Sequence, residues 1–285
     1  MIVAVSGSTG FIGQVLVRKF RALGWTVRSI GREELGKPDR QFREEMIEGT
    51  DAVVNMAGAP VATKWTPAYK EEIRSSRVAT TRKIATAIRE STKKPAVFIS
   101  FSAIGIYDSS NTHTEASSAF AGSFLSDVCR AWEEEAAMAG EETRLVVFRT
   151  GMVLGGDGGA LKKMHLPFSI GLGGKTGSGT QSVSFIHLAD LVSAVVFAIE
   201  NSSVRGVVNA VTPYPSTNAE FSDRLAKVLG QPCWLTIPAF VMKILYGEGA
   251  QVMLEGQKVL PGKLEKAGFR FRYPTIQNAL VQIYG

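Results

Sequence analysis

A glycine-spaced turn joins the first strand of this chain to its first helix, and that junction restricts the fold more than any other stretch. Residues 2–6, Ile-Val-Ala-Val-Ser, read as a buried strand, and Gly7, Ser8, Thr9, Gly10, Phe11, Ile12 and Gly13 lead into an apolar helical pattern. Gly7 permits a tight turn, Gly10 lets a pyrophosphate approach the backbone, and Gly13 lets the helix lie close on the sheet. The helix start offers free N–H groups and the positive end of a dipole to an anion. The junction predicts a dinucleotide site; a purely structural turn is the alternative.

Strand and helix patterns alternate beyond it. Residues 26–30, 51–56, 96–101 and 144–148 read as strands, and residues 67–90 and 120–139 as helices. The alternation predicts an α/β fold of Rossmann type, a doubly wound parallel sheet with its crevice at the carboxyl ends of the strands. Glycine is dense between residues 151 and 184, where no long periodic segment is evident, so residues 156–184 read as a loop over the crevice. A helix over 188–200 and a strand over 206–210 follow. The division expected is a nucleotide-binding domain over 1–211 and a small C-terminal α+β lobe over 212–285.

A chain of 285 residues, 45% hydrophobic and 20% charged, can bury a substantial core. Its net charge of +6 favours anionic ligands, but the basic runs are pairs such as Lys93-Lys94 and Lys162-Lys163, which do not form a nucleic-acid footprint. Cys129 and Cys233 stand far apart and there are three histidines, so neither a disulfide framework nor a clustered metal site is expected. No apolar run approaches the roughly eighteen residues of a membrane span. A reducing compartment fits these features: the cytoplasm, or an organelle stroma if a transit peptide has been removed.

The residue that meets an adenosine ribose is expected about twenty positions past the glycines, at the end of the second strand. Gly31 and Arg32 occupy that place. Glycine leaves room for a 2′-phosphate and arginine offers it a planar charged fork, so NADP, with NADPH preferred over NADH, is expected. The alternative is a solvent-facing Arg32, with Glu33 or Glu34 taking the ribose.

The Gly-x-x-Gly-x-x-Gly spacing resembles the short-chain dehydrogenase/reductase superfamily, and so does the third strand ending in Asn55-Met56-Ala57-Gly58. The likeness extends through Trp65, Ser76-Arg77 with Thr80-Thr81, Trp132-Glu133, Arg149-Thr150-Gly151, Leu154-Gly155, Gly177-Ser178-Gly179 and Phe185-Ile186-His187 with Asp190. The segment Leu254-Glu255-Gly256-Gln257-Lys258-Val259-Leu260-Pro261 is its most specific part. The whole resembles the atypical extended members called epimerase family 39U, which includes proteins labelled cell-division inhibitor homologues. The resemblance implies 2′-phosphate contacts from Gly31 and Arg32, adenosine-side contacts from Met56, Ala57 and Gly58, a further contact region at Glu72 and Arg77, and Val153 near the nicotinamide.

A typical superfamily member uses Tyr-x-x-x-Lys as its proton relay. None of the six tyrosines here has lysine four positions later, and the corresponding places fall near Leu125 and Cys129. Substitute donors are Tyr107 on the loop after the fourth strand, Ser102 at that strand's end, and His187. Each has a structural alternative: a loop-packing phenol, a hydroxyl satisfying a strand end, and an imidazole at a helix start where Asp190 complements the dipole. Gly174-Lys175-Thr176 imitates a P-loop ending but lacks its first glycine, since Ser169 stands there. Lys162, Lys163, His165 and Lys175 would rim a site for an anionic small-molecule substrate, and a solvated loop explains them equally well.

Two classes of function follow. One is an NADP-dependent oxidoreductase or epimerase acting on a small carbonyl or hydroxyl compound. The other is a cofactor-binding regulator or scaffold with a protein partner.

Overall fold

The computed structural model describes residues 1–285. Six strands form the central sheet: β1 (Ile2–Ser6), β2 (Thr26–Ile30), β3 (Ala52–Asn55), β4 (Val97–Ala103), β5 (Arg144–Thr150) and β6 (Gly206–Ala210). Their spatial order is β6-β5-β4-β3-β1-β2, and every neighbouring pair is parallel. This is the expected Rossmann-type doubly wound sheet. The central strands are buried on both faces, which is why Val3–Val5, Ala52–Val54 and Val97–Ile99 read as continuous apolar runs.

Eight helices have eight or more residues: α1 (Phe11–Ala22), α2 (Pro67–Glu90), α3 (Phe124–Ala137), α4 (Gly159–Ser169), α5 (Leu188–Glu200), α6 (Asn218–Val228), α7 (Ala239–Tyr246) and α8 (Ile276–Tyr284). On one face of the sheet, Leu16, Val17 and Phe20 of α1 share a core with Leu191, Val195 and Ile199 of α5. On the other, Ile84, Ala85 and Ile88 of α2 meet Phe42, Ile47 and Ala136. The start of α2 is set by Pro67 at its first position and by the Thr66 hydroxyl, which accepts the Tyr69 N–H.

Residues 156–184 are not only a loop: they contain α4 and the short strand Gly174–Thr176. Pro167 lies inside α4, and glycines crowd both of its ends, so the helical period is masked although Leu161 and Phe168 are buried. A separate core unites Leu154, Leu161, Phe168 and Phe185 with Phe221, Leu225, Ile276 and Leu280. Strand pairing repeats the bond: Leu235–Ile237 runs beside Gly174–Thr176, and Ser216–Thr217 beside Ser182–Val183. Residues 212–285 thus share a core with elements that precede residue 211. No helix is long and apolar enough to cross a membrane.

Candidate functional site

The glycine turn lies at the carboxyl end of β1. Gly7 has φ +72°, and a Cβ there would sit 3.1 Å from the Met56 carbonyl, so the first turn can lie close to the Asn55–Gly58 segment. A Cβ on Gly13 would fall 2.1 Å from the Gly7 oxygen, which fixes that residue as glycine for packing. Gly10 is different, since its Cβ would meet only the Gly7 oxygen, at 3.3 Å. No side chain caps α1, and its first helical bond runs from the Gln14 N–H to the Gly10 oxygen at 3.0 Å. The N–H groups of Phe11, Ile12 and Gly13 precede that bond, which leaves an anion site at the helix start. Ser8 is half-buried and Thr9 exposed beside it, and the Phe11 ring packs on Gly155, Gly158 and Gly159.

Asn55 anchors the opposite turn. It accepts the Ser6 hydroxyl, donates to the Thr81 hydroxyl at 2.7 Å, and receives the Ala57 N–H at 3.4 Å. Met56, Ala57 and Gly58 are thereby held against the glycine turn. Arg77 of α2 lies against Gly58, where a Cβ would be 2.8 Å from the guanidinium carbon. It donates to the backbone oxygens of Ile73 and Ala59 and sits 5.3 Å from the Trp132 ring centre, with no carboxylate partner. Burial lowers its pKa. A half-buried cation without a counter-ion, set against the Asn55–Gly58 turn, fits an anionic ligand. Glu72 is exposed and forms no ion pair.

At the end of β2, Gly31 and Arg32 begin a short helical turn, Arg32–Gly36. The Glu34 carboxylate folds back onto the Gly31 N–H at 2.7 Å, a contact that lowers its pKa. Glu34 is therefore occupied as a cap, while Arg32 is exposed and unpaired. Val153 lies half-buried on the short strand Met152–Leu154, which pairs with Phe185–His187.

Sheet register brings Ser102, Arg149 and Asn209 side by side. Ser102 donates to Glu133 at 2.6 Å, and Arg149 grips both Glu133 oxygens at 2.8 and 2.7 Å. The Tyr107 hydroxyl accepts from Arg149 at 2.8 Å and lies 3.0 Å from the Asn209 side-chain oxygen. Tyr107 is fully buried and stacks on His113. Tyr107 as a substitute donor therefore needs correction: its phenol is an interior member of a satisfied network, as in the loop-packing alternative. Burial raises its pKa against the opposing pull of Arg149. Burial alone would lower the Arg149 pKa, but Glu133 and Tyr107 outweigh it and hold the guanidinium charged.

His187 is 5% exposed and caps α5, its Nδ1 accepting the Ala189 N–H at 3.1 Å. That bond leaves the proton on Nε2, which has no well-placed protein acceptor, and the ring lies 4.2 Å from that of Tyr273. Burial lowers its pKa despite Gln282 and Asp190. Leu125 and Cys129 occupy the places read from the sequence for the relay; Leu125 packs with Trp65, and the buried Cys129 thiol is pushed up to about 11. Neither serves as an acid–base pair at neutral pH. Among the rim cations, Lys163 donates to the Ala62 oxygen and His165 packs on Tyr284.

Sequence reasoning missed two features. The Glu133–Arg149 pair was visible only as motif residues, because Glu133 lies on α3 and Arg149 on β5 and only the packing of that helix on the sheet joins them. Asp190 begins α5 as expected, but its carboxylate also accepts the N–H groups of Arg272 and Tyr273 at 3.0 and 2.9 Å. Separately, a cavity of about 750 Å³ opens between Thr176, Ser178 and Gln181 on one side and Lys243, Gln251 and Glu255 on the other.

Residues 3–210 match the NAD dependent epimerase/dehydratase family, and residues 237–283 match a domain of unknown function. The epimerase family protein SDR39U1 homolog, chloroplastic, of Arabidopsis thaliana is 39% identical over 98% of this chain and 86% of its own length. The epimerase family protein SDR39U1 of Homo sapiens is 36% identical over 99% of each. A crystal structure of human SDR39U1 (isoform2) with NADPH superposes with a TM-score of 0.94 at 34% identity, covering 100% of this chain and 99% of the human one. The glycine turn, the parallel sheet and this full-length likeness together establish that the chain belongs to the NAD dependent epimerase/dehydratase family, among the SDR39U1 proteins.

Proposed function

We propose that the chain binds NADP, with NADPH preferred over NADH, and acts as an oxidoreductase or epimerase on a small carbonyl or hydroxyl substrate. The observation that carries this reading is the uncapped start of α1 after β1, with Arg32 after the neighbouring β2 and Arg77 against Gly58 after the neighbouring β3, neither arginine having a carboxylate partner. Phe11, Ile12 and Gly13 would give their N–H groups to the pyrophosphate, Arg32 would pair with the 2′-phosphate, and Met56–Gly58 would flank the adenosine. The nicotinamide would supply or accept the hydride beside Val153. The relative crystallised with NADPH supports the cofactor assignment. The hydroxyl and amide groups of Thr176, Ser178, Gln181 and Gln251 suit a polar substrate, and Lys243, Glu248 and Glu255 are the charged groups of the same lining.

A second reading has its own observation. Ser102 and Tyr107 are committed to the Glu133–Arg149 network, and Leu125 and Cys129 replace the relay. That favours a nucleotide-binding regulator or scaffold whose partner is another protein. Under the enzymatic reading, His187 is the candidate whose Nε2 proton is uncommitted.

Calorimetric titration with NADPH and NADH tests the cofactor. NADPH should bind at least about tenfold more tightly, and Arg32→Ala should remove most of the difference, as expected for one charge-assisted contact. Equal affinities in the parent protein would defeat the assignment. Single-turnover oxidation of bound NADPH across a panel of carbonyl compounds then separates the two readings: oxidation above background decay favours the enzyme, and none across the panel favours the regulator.

A further inference from the structure

The room that a glycine leaves at position 31 is filled by a carboxylate. Ser6 and Ile30 are register partners at the ends of β1 and β2, so Gly7 and Gly31 leave the sheet side by side. A dinucleotide seated on the glycine turn would bring its adenosine ribose to Gly31. A Cβ built on Gly31 would make one contact beyond its chain neighbours, with a Glu34 carboxylate oxygen at 3.0 Å. That same oxygen accepts the Gly31 N–H at 2.7 Å.

Glu34 is half-buried, while Gly31 and Arg32 are exposed. Lys37, which could neutralise it, pairs with Glu45 at 2.6 Å instead. The bond from the Gly31 N–H holds the Glu34 carboxyl below the usual carboxylate range, so it is ionised at neutral pH. A 2′-phosphate placed between Gly31 and Arg32 would meet this like charge at close range, which is unfavourable. A ribose 2′-hydroxyl in the same place would meet an acceptor.

Resting on the reading that the chain binds NADP, we propose that Glu34 is a second determinant of cofactor choice and opposes Arg32. Its carboxylate leaves the Gly31 N–H when the 2′-phosphate of NADPH arrives. It stays when NADH binds, and accepts the ribose hydroxyl. The preference for NADPH is then the difference between an attractive and a repulsive side chain two residues apart, and Arg32 alone would give a wider one.

Calorimetric titration of the parent, Glu34→Gln and Arg32→Ala with NADPH and NADH tests the proposal. Glutamine keeps an oxygen for the Gly31 N–H and removes the charge, so circular dichroism should match the parent. Glu34→Gln should tighten NADPH by about fivefold, as expected for one exposed charge pair, and should not tighten NADH. Raised salt should narrow the gap in NADPH affinity between the parent and Glu34→Gln, which a purely structural cap would not produce. Arg32→Ala should move the preference the opposite way. An unchanged NADPH-to-NADH ratio in Glu34→Gln, or equal tightening of both nucleotides, would overturn the role of Glu34 while a parental preference for NADPH left the cofactor assignment standing. A parent with equal affinities that Arg32→Ala does not alter would overturn both.

Discussion

At the scale of single residues, the glycines of the first turn separate by what a side chain would meet. Gly13 faces the Gly7 oxygen at 2.1 Å, so any substitution must push α1 off the sheet. Gly10 has only a 3.3 Å contact and a φ of −75°, which other residues adopt readily. Gly10→Val should therefore keep the fold and lose the ligand, since the added methyls would enter the space where a pyrophosphate meets the backbone. Circular dichroism should remain unchanged while NADPH affinity falls by at least about a hundredfold. A folded variant with parental affinity would make the turn structural only. The opposite logic governs Glu133 and Arg149, where one buried charge satisfies another and also positions Ser102 and Tyr107. That network explains why the serine at the end of β4 and the tyrosine on the loop after it need not be catalytic.

At the scale of elements, legibility followed periodicity. The helices over 67–90 and 188–200 and the strands over 26–30 and 206–210 have the bounds read from the sequence, the helices because their patterns are long and the strands because glycine stands beside them, at Gly24 and Gly31 and at Gly206. Helix α4 was hidden by Pro167 and its glycine-rich flanks. The interior setting of Tyr107 was equally hidden, since it depends on Arg149 and Asn209 arriving from two other strands. His187 illustrates a role that local sequence only half shows, for it caps α5 and is buried at the same time. Its folded-state pKa lies below the ordinary 6.5, so the unfolded chain binds the proton more readily. The stabilisation from a neutral His187 is thus complete above about pH 6.5 and lost as pH falls below it. His187→Asn retains a capping oxygen for the Ala189 N–H but cannot titrate. Thermal melts from pH 7.5 to 5.5 should show a smaller loss of stability on acidification in this variant than in the parent; parallel curves would remove His187 from the pH response.

At the scale of the whole molecule, a buried carboxylate ties the C-terminal segment to the helices on the sheet. Asp190 is 0% exposed on α5, whose apolar residues belong to the sheet's core, and its oxygens hold the backbone N–H groups of Arg272 and Tyr273. Residues 272 and 273 lead directly into α8, which supplies Ile276, Ala279 and Leu280 to the lobe's core. Removing the carboxylate leaves two donors without their partner, and each charge-assisted bond to a buried group contributes about 1.5–3 kcal/mol. Asp190→Ala should therefore lower unfolding stability by about 2–4 kcal/mol, the remainder being recovered by local relaxation and water entry. The effect should also be regional. Hydrogen exchange should accelerate at Arg272, Tyr273 and through α8, while β1, β3 and the start of α1 keep their protection, because both hydrogen bonds of Asp190 go to the C-terminal segment. NADPH affinity should consequently stay within about threefold of the parent, well under the 1.4 kcal/mol that marks a tenfold change. Uniform acceleration across the sheet would mean that the two cores open as one cooperative unit, with Asp190 acting as a global strut and not as a clamp on the C-terminal segment.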